Sequence, residues 1–130
     1  MPAYYIVLQK SIPGVEATGL DGRSLSAHNV KLEALARQAG VPPLLTFFSL
    51  NPEELAKFLE DHQVGESVQI PEERWFSAEE GLNTVSALLK SLAEMPTTEA
   101  SILAKELAEF QQILQAAGSR NVRWHLGIDI

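Results

Sequence analysis

The final nine residues, Val122-Arg123-Trp124-His125-Leu126-Gly127-Ile128-Asp129-Ile130, alternate apolar and polar without a break. Successive side chains of a strand point to opposite faces, so this period of two predicts a β-strand. Val122, Trp124, Leu126, Ile128 and Ile130 fall on its core face, and Arg123, His125, Gly127 and Asp129 on a polar one. At the opposite end Tyr4-Tyr5-Ile6-Val7-Leu8-Gln9 is β-branched and aromatic, with apolar groups on both faces, which suits an inner strand. Strands at both termini suggest that the two pair in one small sheet covered on one side by helices.

The helices are marked by stripes and caps. One is expected from about Ala27 to Ala39, with Ser26 as N-cap, Gly40 as its stop, and Leu32, Leu35, Ala36 and Ala39 facing inward. Asn51-Pro52-Glu53-Glu54 opens a second, ending near His62, by an Asn cap, a Pro at the first helical position and a closing Glu. Ser77-Ala78-Glu79-Glu80 is another capping box. It starts a long helix to Met95, with Leu82, Val85, Leu88, Leu89, Leu92 and Met95 at helical spacing. Pro96 ends that helix, and a fourth runs to about Ala117 with Leu103, Leu107, Phe110, Leu114 and Ala117 on one stripe. So short a connection makes these two an antiparallel helical hairpin. A small β-hairpin around Asp21-Gly22, a strand or turn-rich coil over Leu44–Leu50 and a short strand at Val68-Gln69-Ile70 complete the expectation. The fold class is α+β: a single domain over residues 1–130, one small sheet with both terminal strands and about four helices.

Composition narrows the functional classes. With 130 residues, 45% of them hydrophobic and 21% charged, the chain can bury one core and is not of disordered type. It has no cysteine, which excludes disulfides, thiolate nucleophiles and cysteine-based metal or iron–sulfur sites. The short apolar run at Tyr4–Leu8 is too brief for a membrane span or a signal peptide, so a cytoplasmic protein is expected.

The formal charge of −7 is concentrated. Residues 51–80 hold nine acids against Lys57 and Arg74, a local balance of −7, whereas residues 1–50 carry +1 and residues 81–130 carry −1. Such a stretch, with Glu53, Glu54, Glu60, Asp61, Glu72 and Glu73 as its candidate partner-binding residues, repels phosphate and attracts a basic protein. The plainer reading is a solvated acidic face. Scattered bases argue against nucleic-acid binding.

Signatures of catalysis are lacking. His28, His62 and His125 stand in no metal-ligand spacing, the eight glycines form no nucleotide fingerprint, and Ser24 and Ser26 lack a nucleophile elbow. No metal and no cofactor are expected. Glu72-Glu73 beside Trp75-Phe76 resembles a sugar site, but adjacent residues of a strand point apart, so the pair reads as a charged edge before aromatic anchors. The most suggestive group is the polar face of the last strand, where Arg123 and His125, with Tyr5 if the termini pair, form a candidate ligand-binding set for an anionic small molecule. Asp129 shares that face but stands about 13 Å along the strand from His125.

The turn Asp21-Gly22-Arg23, Trp75-Phe76 followed by Gly81-Leu82, and Arg123-Trp124-His125-Leu126 resemble a group of small bacterial hypothetical proteins. The resemblance covers most of the chain and implies a bacterial, stand-alone domain. It brings no activity, so it implies no catalytic residues. Two functional classes follow from the residues: a non-enzymatic interaction domain, of which an inhibitor or immunity protein is one version, and a small enzyme or binder using the C-terminal strand.

Overall fold

A computed structural model of the chain describes residues 3–15, 22–49 and 73–129. Its elements are β1 (Ala3–Leu8), α1 (Arg23–Ala27), α2 (Asn29–Ala39), a 3-10 turn (Leu44–Phe47), α3 (Ala78–Ala93), α4 (Thr98–Ser119) and β2 (Trp124–Asp129). The fold is α+β. The expected helix at Asn51–His62 and strand at Val68–Ile70 lie outside the described residues, as do Asp21, Glu72 and Ile130.

The two terminal strands pair antiparallel, in a register that sets Tyr4 opposite Ile128, Ile6 opposite Leu126 and Leu8 opposite Trp124. These residues face the helices, where Tyr4, Ile6, Trp124 and Leu126 are buried with Leu25, Leu32, Val85, Leu88, Leu103 and Leu107. Single bridges extend the pair on both sides. Gly22 pairs with Tyr4 on the free edge of β1, while Phe48 pairs with Leu126 and Phe76 with Trp124 on the free edge of β2.

α3 and α4 form the expected hairpin. Ser77 and Glu80 close a reciprocal capping box, and Thr97 caps α4 through the Ala100 N–H. Every member of the α4 stripe, from Leu103 to Ala117, is buried. Gly40 ends α2 in the left-handed conformation.

Two details depart from the sequence reading. Helical structure begins at Arg23, not Ala27, and is interrupted at His28, whose backbone leaves helical geometry. Ser26 is therefore no cap: Gly22 precedes α1, and the Leu25 N–H is met by Glu106 Oε1 of α4 at 3.1 Å. Of the two readings of the run from Leu44, the turn-rich one fits: a 3-10 turn there buries Leu44 and Phe47. Its neighbouring carbonyl at Pro42 accepts from the buried Thr84 hydroxyl at 2.8 Å.

Candidate functional site

The site grows from the exposed edge of β2. Phe76 and Trp124 exchange both backbone hydrogen bonds, N–H to carbonyl at 2.8 and 3.0 Å. Phe76 thereby directs its ring to the helical side, where it meets Phe47 edge-on at 5.1 Å. Alternation sends Trp75 and Glu73 the other way, onto the face of β2 that carries His125. The Trp75 and His125 rings lie 4.8 Å apart. His125 Nε2 and Glu73 Oε2 are separated by 2.6 Å, and His125 Nδ1 lies 3.0 Å from the Leu126 carbonyl oxygen.

This polar group is enclosed. The His125 side chain is 3% exposed and that of Glu73 is 19% exposed. Ser49 braces the same edge: its N–H donates to the Leu126 carbonyl at 3.2 Å, and its Oγ accepts from the Arg74 N–H at 2.7 Å. Ser49 and Arg74 are thus held within hydrogen-bond reach of one another at this edge. The Arg74 guanidinium lies over the Phe76 ring at 5.4 Å.

The candidate ligand residues are brought together in part. Tyr5 shares the outer face with His125, and its ring crosses Gly127 so closely that a Cβ there would overlap it. On β1, Val7 stands opposite His125 and Tyr5 opposite Gly127, so Tyr5 is a diagonal neighbour of the histidine. Arg123 is exposed just before β2 and lines a different concavity of about 340 Å3, with Ser77, Glu79 and Asn121 among its walls. The Asp129 side chain, and Glu53, Glu54, Glu60, Asp61 and Glu72, lie outside the described residues.

The Glu73–His125 pair and the packing of Trp75 on the imidazole are not evident from the sequence. Parity was the available signal: Glu73, Trp75 and His125 share a face once Phe76 is known to pair with Trp124. His125 also departs from the open polar face that the alternation suggests, being 2% exposed.

A second concavity, of about 350 Å3, is lined by Ser24, His28, Glu99 and Ile102. There Glu99 joins α4 to the start of α2 by meeting His28 Nδ1 at 2.8 Å and Lys31 Nζ at 3.3 Å. These groups are more than a third exposed, so the cluster is a surface tie of small energetic weight. Among the described residues no three His, Asp or Glu side chains gather as a metal site, and no helix is long and apolar enough to cross a membrane.

Chemically, the outer-face site is committed to itself. Both imidazole nitrogens face oxygen acceptors, so His125 presents no free lone pair to a substrate proton. The Ser49 hydroxyl oxygen is engaged with backbone, not with the histidine. No family model, curated protein or solved structure matches the chain.

Proposed function

We propose that this chain is a non-catalytic interaction domain of the bacterial cytoplasm that meets a basic protein through residues 51–80, as small inhibitor and immunity proteins do. The observation that carries the reading is charge placement: nine acids against two bases in that stretch, and a nearly neutral remainder. Clustered like charges repel one another in the free protein, and a basic partner relieves that repulsion on contact. Charge of this kind raises the association rate and confers salt sensitivity, while holding strength comes from an apolar anchor. Trp75, half-buried beside the acidic stretch, is suited to that role.

The commitment of both His125 nitrogens weighs against the other class, a small enzyme or anion binder built on Tyr5, Arg123 and His125. Arg123 also belongs to a separate concavity.

The test uses the full chain and a variant carrying Glu53→Lys, Glu60→Lys and Glu72→Lys as baits in bacterial extract, at low and high salt. Wild type should capture a basic protein that high salt releases, and the variant should not capture it. Capture of the same proteins by both baits would refute the reading.

A further inference from the structure

We propose that the Glu73–His125 contact is a proton-dependent latch that holds the segment Glu73–Phe76, which belongs to the acidic stretch 51–80, against β2.

The argument is one of donors and acceptors. The Leu126 carbonyl can only accept, so Nδ1 at 3.0 Å from it carries a hydrogen. At the other nitrogen, Nε2 and a carboxylate oxygen stand 2.6 Å apart, a distance of attraction only if a proton lies between them. Whichever atom holds that proton, the closed pair carries one more than a neutral imidazole beside a carboxylate. Remove it and one ring nitrogen turns a lone pair toward an oxygen acceptor. Turning the ring over does not help, because acceptors stand at both ends. Enclosure matters here, since water cannot replace the lost bond around a histidine this buried.

The surroundings offer little substitute. Among the described residues, the segment 73–76 presents Glu73 and Arg74, whose guanidinium is engaged over Phe76. β1 presents Val7 opposite the ring and the Tyr5 phenol diagonally. Arg123, just before β2 and two residues from the histidine, is exposed and lines the neighbouring concavity. Beyond the imidazole, the segment is held by the Phe76–Trp124 backbone pair and the Arg74–Ser49 bond.

The sign follows from the proton count. Raising pH removes the shared proton, so the latch closes at lower pH and loosens as pH rises. Loosening frees the Glu73 carboxylate and uncovers Trp75, adding one charge and one aromatic ring beside the acidic stretch. This consequence for binding rests on the interaction reading above, whereas the latch is tested without any partner.

The experiment is NMR on protein labelled at histidine nitrogen, glutamate carboxyl carbon and backbone amides, between about pH 5 and about pH 9, which spans the range in which histidine commonly changes charge. In the wild type, the His125 ring nitrogens and the Glu73 carboxyl together should carry two protons at the lower pH and one at the higher, read from the ring-nitrogen and carboxyl resonances. The protection factors of the Phe76 and Trp124 amides should fall by about ten- to a hundredfold, as expected for one charged hydrogen bond. In Glu73→Gln the side-chain amide can donate to Nε2, so one ring N–H should persist throughout and the protection step should vanish. His125→Phe, which fills similar volume without titrating, should also abolish the step. A wild type without the step, or either variant retaining it, overturns the latch. Failure of the extract capture leaves this outcome untouched, and the reverse is equally true.

Discussion

The indole of Trp124 lies against the backbone of Gly81, so close that a Cβ on that glycine would overlap the six-membered ring. The same indole donates through Nε1 to the Ser77 carbonyl at 3.0 Å, which fixes it across the first turn of α3. Alanine within a helix ordinarily stabilises over glycine by about 0.5–1 kcal/mol. Here the overlap decides the sign. Gly81→Ala should destabilise by about 1–3 kcal/mol, as overpacking does. Chemical denaturation measures it, and a gain in stability would show that the ring can move aside.

Trp124 is fully buried between Phe47, α3 and β1. Replacing it by alanine should cost roughly 3–5 kcal/mol, as for other large aromatic deletions in cores. Unfolding by denaturant with a midpoint equal to wild type would contradict this.

Tyr4 is buried, and its hydroxyl donates to Asn29 Oδ1 at 2.9 Å. Burial pushes the phenol above the ordinary tyrosine value. A raised folded-state value means that the neutral phenol's contribution is fully present below the unfolded tyrosine range, about pH 10, and is lost as pH rises through the folded value. Alkaline unfolding should therefore be tied to this group. Tyr4→Phe should shift that transition to higher pH, at a cost near neutrality of about 0.5–1.5 kcal/mol for the lost hydrogen bond. Thermal melts across the alkaline range distinguish the two proteins.

Glu106 caps α1 from across the molecule through the Leu25 N–H. Its replacement by alanine should cost about 0.5–2 kcal/mol, the usual worth of a helix cap. The loss should be local, visible as faster amide exchange at Leu25 while α3 keeps its protection.

What could be seen in the sequence was what is local or strictly periodic. The β2 alternation, the α4 stripe, the Ser77–Glu80 box and the Gly40 stop each depend on residues within a few positions of one another. The start of α1 was hidden because its cap lies 81 residues away, at Glu106. The alternation puts His125 on the polar face of the last strand, and nothing near it in sequence announces Glu73 or Trp75. They arrive at β2 through a single bridge, at Phe76, and the parity of that bridge separates Trp75 from Phe76. Trp75 and Phe76 were read together as anchors for the long helix, whereas only Phe76 packs on the helical side and Trp75 turns to the histidine.

The pairing of β1 with β2 joins Ala3–Leu8 to Trp124–Asp129, almost the widest separation the chain allows. Contacts so distant in sequence close late, because the chain must lose the entropy of the whole intervening loop before they are rewarded. The α3–α4 hairpin needs no such closure, and during synthesis it can assemble while β1 still waits. Until Trp124 and Leu126 leave the ribosome, Tyr4 and Ile6 lack the β2 residues that pair beside them. The nascent chain therefore carries β1 without this partner strand until residues 124–129 have emerged. Such a segment is what chaperones bind and what aggregates when they are scarce. For β1 the interval open to chaperones thus lasts until Trp124–Asp129 is free to pair with it.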